Sequence, residues 1–165
     1  MNECTLYSNV ERYLSDGKGI AVKTTGSGRE GNIADGFHRE LIPLDPENLK
    51  PQFAETEDGF CLIEPITPPE RMIILGGGHI SLSLCQFASA CGFDITIVDD
   101  RPAFANAARF PMAHVICDTF EATLEQLTIT PYDYVIIVTR GHRHDGDCLR
   151  MLWEKEPPAY LGMIG

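Results

Sequence analysis

Six residues, Gly76-Gly77-Gly78-His79-Ile80-Ser81, constrain this chain more than any other stretch. They follow the apolar run Arg71–Leu75 and open a helical stretch over residues 79–91, so the glycines stand where a strand turns into a helix. In this G-x-G-x-x-S pattern the first glycine makes a tight turn and the second lets a phosphate approach the backbone. Ser81 takes the third small position, where the helix must pack closely on the strand, and its hydroxyl is expected within reach of a bound phosphate. The helix N-terminus adds free N–H groups and a partial positive charge, worth roughly 0.3–1 kcal/mol for an anion at an exposed site. Asp99 lies 21 residues beyond Gly78, at the end of the next strand. That is where a strand-turn-helix of this kind places the carboxylate that binds a ribose.

The chain beyond this turn repeats the alternation. Strands are expected over residues 93–98, 113–117, 132–138 and 160–164, with helices over 120–127 and 145–155. Phe120, Leu124 and Leu127 recur at spacings that put them on one helical face. Strands alternating with helices imply a parallel sheet with crossover connections. The fold class is therefore α/β, with a Rossmann-like parallel sheet of about five strands in the order 3-2-1-4-5.

Thr67-Pro68-Pro69 divides the chain, because proline neither donates to a sheet ladder nor continues a helix. Residues 68–165 form the Rossmann-like domain and residues 1–67 a smaller N-terminal appendage. The appendage offers a short helix over residues 10–14, strands over 20–24 and 59–66, and a glycine-rich turn region over 26–31. It reads as β-poor and loop-rich, too small to bury a core alone and expected to pack on the Rossmann-like domain.

Charge narrows the partners. Thirteen Lys and Arg against twenty-four Asp and Glu leave a formal net charge of −11, which repels phosphate backbones and anionic headgroups. No nucleic acid and no membrane partner is expected. Apolar runs fall far short of the roughly 20 residues that span a bilayer, and the start of the chain lacks a secretory pattern, so a cytoplasmic protein is expected. The six cysteines are scattered without a C-x-x-C pair and read as small buried hydrophobes.

Against that acidic background one segment is basic. Thr139-Arg140-Gly141-His142-Arg143-His144-Asp145 follows the fourth strand of the Rossmann-like domain. In an open doubly wound sheet, ligands bind beyond the carboxyl ends of the strands, where the strand order reverses between the first and fourth. The glycine turn and this loop are thus expected to face each other, and the arginines suit phosphate or another small anion. Two other readings stay open. His142, His144, Asp145 and Asp147 are plausible metal ligands, with His79 approaching from across the crevice, although no established ligand spacing is matched. Alternatively, Asp145 caps the following helix and its neighbours are solvated. Asp99 and Asp100 together disfavour a 2′-phosphate and so favour NAD over NADP for any dinucleotide, while Arg101 supplies a cation beside them. Asp100-Arg101-Pro102 also reads as a turn. His114 and Cys117 are expected to pack, and Trp153 to lie in a helix core or at a partner contact.

Four segments, RMIILGGGHIS at 71–81, VDDRPAFANAARFP at 98–111, VTRGHRHD at 138–145 and YLGMIG at 160–165, together resemble the C-terminal Rossmann domain of the xanthine dehydrogenase accessory factor family, the XdhC/CoxI type. Such proteins hold molybdenum cofactor, assist its sulfuration and deliver it to xanthine dehydrogenase or a related molybdenum hydroxylase. The resemblance implies a cofactor carrier rather than an enzyme, with molybdopterin as ligand, the hydroxylase as partner, a cysteine desulfurase as a further partner, and a homo-oligomeric state. Carried over by position, it puts Gly76, Gly78, His79, Asp99, Arg101, Arg109, Thr139, His142 and Asp145 at the ligand crevice, to which the glycine motif and the basic loop add Gly77, Ser81 and Arg140. Beside it stand two alternatives: an NAD-dependent oxidoreductase using His79, His142 or His144 as acid or base, and a nucleotide-sensing interaction module.

Overall fold

The computed structural model describes residues 3–27, 36–45 and 47–164, with the backbone alone for Glu3, His142 and Arg143. The chain forms two compact units, Met1–Pro68 and Pro69–Gly165.

The first unit runs α1 (Glu3–Ser15), β1 (Ile20–Ser27), β2 (Phe37–Ile42), β3 (Gln52–Thr56) and β4 (Gly59–Ile66), and its strands form an antiparallel sheet in the order β2-β1-β4-β3. Leu6, Val10, Tyr13 and Leu14 recur at helical spacing on α1, and alternate residues of β1, Ile20 and Val22, meet them. Register brings Leu41 of β2 opposite Val22 and Ile66 of β4 opposite Ile20, which completes the cluster. Full burial of each such aliphatic side chain contributes roughly 1.5–3 kcal/mol. The unit thus has a four-stranded sheet and a buried cluster of its own, more than the β-poor appendage read from the sequence. The helix is also longer than residues 10–14, and most of the expected turn region over 26–31 lies outside the described residues.

The second unit runs β5 (Arg71–Leu75), α2 (His79–Ala90), β6 (Asp94–Val98), β7 (His114–Ile116), α3 (Phe120–Gln126), β8 (Asp133–Ile137), α4 (His142–Trp153) and β9 (Tyr160–Met163). All strand pairs are parallel and the order is β7-β6-β5-β8-β9, the expected 3-2-1-4-5. β5 lies centrally and is buried on both faces. Met72 and Ile74 pack with Cys85 and Ala88 of α2, whereas Ile73 and Leu75 pack with Phe120 and Leu124 of α3 and Cys148 and Leu152 of α4. At the other end of the sheet Arg71 donates to both oxygens of the buried Asp133 at 2.8 and 2.7 Å, tying the starts of β5 and β8 together. The connection from β6 to β7 contains no helix, and residues 99–113 cross the carboxyl end of the sheet as successive turns.

Three expectations change. Helix α4 begins at His142, not at residue 145, because Gly141 takes φ of +96° and reverses the chain before Asp145 is reached. Trp153 is 83% exposed at the end of α4 and belongs to no core. Of the cysteines, Cys85 and Cys148 are buried, Cys61 is half-buried, and Cys4, Cys91 and Cys117 are exposed because they stand on an outer helix face, at a helix end and just past a short edge strand. Burial, helped by Glu121, Asp145 and Asp147, pushes the Cys148 thiol up to about 12, so it stays protonated. Among the described residues no helix is long and apolar enough to cross a membrane.

Candidate functional site

The carboxyl ends of β5, β6 and β8 carry the glycine turn, the segment from Asp99 to Phe110 and the segment from Thr139 onward. Gly76 takes φ of +116°, and a Cβ there would meet the Val138 carbonyl oxygen at 2.3 Å. The tight turn is therefore pressed against the end of β8, which brings the glycine turn beside the basic segment. Gly77 is equally enclosed, since its Cβ would approach the Phe104 carbonyl oxygen at 2.8 Å. Gly78 differs. It has φ of −73° and ψ of −165°, and a Cβ there would meet nothing within 4 Å. Neither backbone conformation nor a protein neighbour requires glycine at 78, so the free space at the start of α2 is available to a ligand.

Ser81 is fully buried and its hydroxyl donates to the Gly76 carbonyl. Its hydrogen serves the turn itself. His79 and Ile80 are exposed on the first turn of α2.

Asp99 is 1% exposed and holds the turn from the side. Its Oδ2 accepts from the Gly77 N–H at 2.8 Å and from Arg101 Nη2 at 2.9 Å; its Oδ1 accepts from Arg101 Nε at 2.8 Å and from the Arg101 backbone N–H at 3.0 Å. Burial pushes this carboxyl's pKa up, but the Arg101 guanidinium, the Gly77 and Arg101 N–H groups and the charge of Arg101 outweigh it and hold it below the ordinary carboxylate value. The same pairing raises Arg101. The Arg101 guanidinium lies 3.7 Å from the centroid of the Phe104 ring.

Arg109 approaches the same ring at 5.3 Å and donates to the Gly77 carbonyl at 3.2 Å, while its Nε is buried without a hydrogen-bond partner. Arg140, half exposed after β8, donates to Asp100 Oδ2 at 2.9 Å, and Asp100 Oδ1 is buried without a hydrogen-bond partner. The ion pair joins the segments after β6 and β8, the strands on either side of β5. Thr139 donates its hydroxyl to the buried Asp145 in the first turn of α4. Asp145 therefore steadies the helix start from inside it, and Gly141 is the capping residue. His142 contributes backbone only, its side chain lying outside the described residues.

The structure thus brings together Gly76, Gly77, Gly78, Asp99, Arg101, Arg109 and Arg140, with Ser81 beneath the turn and Thr139 and Asp145 paired at the start of α4. His144 packs edge-on against Phe120 at 5.8 Å, the exposed His114 lies on β7, and among the described residues no group of three or more His, Cys, Asp or Glu side chains has the geometry to hold a metal ion. Phe104 is the participant that residue-type reasoning passes over. Its signal was the D-R-x-x-F spacing, which sets an aromatic face one turn beyond the arginine.

A parallel sheet in this order, a glycine turn at its reversal point and an acidic residue at the end of the second strand define a Rossmann-type domain whose crevice carries arginines around an open helix start. Residues 72–165 match the family model described as the XdhC Rossmann domain, and the chain belongs to that family. It is 29% identical to a Bacillus subtilis protein named as a probable xanthine dehydrogenase subunit, over 96% of this chain and 51% of that one. The uncharacterized protein YqeB of Escherichia coli is 32% identical over 57% of this chain and 17% of its own length. The crystal structure of a xanthine dehydrogenase from Bacillus halodurans superimposes with a TM-score of 0.75 at 28% identity, covering 98% of this chain and 52% of that one. The chain spans about half of the Bacillus proteins it matches.

Proposed function

We propose that this chain is an accessory factor for xanthine dehydrogenase or a related molybdenum hydroxylase, and that its crevice holds the phosphate-bearing end of molybdenum cofactor while the cofactor is sulfurated, with sulfur from a cysteine desulfurase, and inserted. Family membership supports the accessory role, and the names of the two Bacillus proteins support the client. The observation that carries the binding site is Gly78: a glycine that the fold does not need, at an open helix start, with arginines around it.

The residues fit such a group at its anionic end. The N–H groups at the start of α2 and the Arg109 Nε, buried and unpartnered, are donors without a protein acceptor, and phosphate supplies acceptors. Gly78 would let the phosphate reach the backbone, Arg109 would bind it, and Arg140 would turn to it from Asp100. The cofactor, once in the client, supplies the metal centre of hydroxylation; this chain's residues bind, orient and release it.

The test is Gly78→Val. Gly76 is unsuitable because any side chain there strikes Val138 and strains a positive φ. At Gly78 a Cβ meets no protein atom within 4 Å and φ is ordinary, so the fold is expected to survive the substitution while the side chain fills the cradle. Wild-type protein is expected to retain a pterin detectable by mass spectrometry and to capture apo-hydroxylase, and the variant to lose the pterin by at least about tenfold, a difference of roughly 1.4 kcal/mol. A wild type blank in both a pterin titration and the pull-down ends the proposal.

A further inference from the structure

A ribose-binding carboxylate at the end of the second strand works by accepting hydrogen bonds from the sugar hydroxyls, and so needs free lone pairs. Asp99 has the position without the capacity. A carboxylate offers about four acceptor sites. Here both oxygens are engaged twice, by the Gly77 and Arg101 N–H groups and by the Nε and Nη2 of Arg101, all between 2.8 and 3.0 Å. The guanidinium fork covers the carboxylate and is itself held over Phe104.

We propose that Arg101 is a specificity-determining residue of the glycine crevice: by occupying Asp99 from within the chain, it selects phosphate-bearing ligands that place no adenosine ribose there and rejects nicotinamide dinucleotides. This rests on the crevice being an anion site and adds which anions it refuses. Displacement of the fork by a ribose diol is unfavourable. Two neutral O–H donors would replace a bidentate guanidinium, so the buried carboxylate would lose its countercharge and Arg101 would be left without its partner. Asp100 is the poorer acceptor for a ribose: its Oδ1 is buried with Arg101 3.8 Å away, and its Oδ2 holds Arg140 until an anion draws that arginine off.

The experiment titrates NADH, followed by its fluorescence, into wild type, Arg101→Gln and Arg101→Lys, with circular dichroism confirming that each is folded. Both substitutions break the fork; lysine keeps the charge beside Asp99, so it guards against a glutamine variant that fails to fold. Wild type is expected to show no saturation below about 1 mM NADH, and each folded variant to bind NADH at least about tenfold more tightly than wild type. Wild-type binding below about 100 μM, or no gain in the folded variants, overturns the proposal. Calorimetry of wild type with pyrophosphate runs alongside. No heat with pyrophosphate sinks the anion-site reading, whereas the NADH comparison alone judges Arg101.

Discussion

At the scale of single residues, the carboxylate Asp99 links the stability of the turn to pH. It is ionised in the fold because the Arg101 fork and two backbone N–H groups outweigh the effect of burial. A carboxyl held below its ordinary value binds fewer protons in the native than in the unfolded chain. Its contribution is therefore complete above the unfolded value of about 3.9 and is lost as pH falls through the lower native value. Asp99→Asn removes the charge that binds the fork, and the cost is expected near 2 kcal/mol at pH 7, the order of a charged hydrogen bond. Urea unfolding of both proteins from pH 7 to pH 2.5 checks the sign. The gap between them should narrow below pH 4 as the wild-type carboxylate is protonated, and parallel curves across that range would contradict the assignment.

At the scale of elements, legibility followed burial. The inner strands β5, β6 and β8 of the parallel sheet were readable because a strand covered on both faces is a short, largely apolar run, as in Arg71–Leu75 and Asp133–Ile137. β2 and β3 were missed because they are sheet edges: FHRELI is half polar, and every residue of QFAET is exposed, so neither carries a clean alternation. Glu57-Asp58-Gly59 was the available signal: Glu57-Asp58 is the two-residue turn between Thr56 and Gly59, the first residue of β4. The start of α4 was missed because His142-Arg143-His144 looks like solvated loop, and only the positive φ of Gly141 reveals the reversal. In the site, the glycines and Asp99 were legible from spacing, but the saturation of Asp99 was not. It depends on the rotamer of a neighbouring arginine, which no motif records. The burial rule also separates two positions of the first unit. Leu6 on α1 is 1% exposed and Phe53 on β3 is 64% exposed. Leu6→Ala should cost about 2–5 kcal/mol, as expected for a buried leucine, and Phe53→Ala less than about 1 kcal/mol. Thermal melts followed by circular dichroism decide, and equal shifts for the two would mean that α1 does not anchor this sheet.

At the scale of the whole molecule, the proposed anion site sits on an acidic chain, and the two charges act over different distances. Near the glycine turn Arg101, Arg109 and Arg140 outnumber Asp99 and Asp100, whereas the chain as a whole carries −11. The Debye length is about 30 Å at 0.01 M salt and about 8 Å at 0.15 M. In dilute salt an approaching anion is therefore repelled by the whole molecule well before it meets the arginines. At physiological salt that long-range repulsion is screened, and the contact attraction, acting over a few ångströms, survives. The association rate of a fluorescent phosphate ester, measured by stopped flow, should consequently rise between 0.01 M and 0.15 M sodium chloride, contrary to a site on a basic protein. The dissociation rate should change less, because it reports the desolvated contacts at the turn. A steady fall of the association rate with salt would mean that the local arginines dominate the field at long range, and that the acidic surface is turned away from the path of entry.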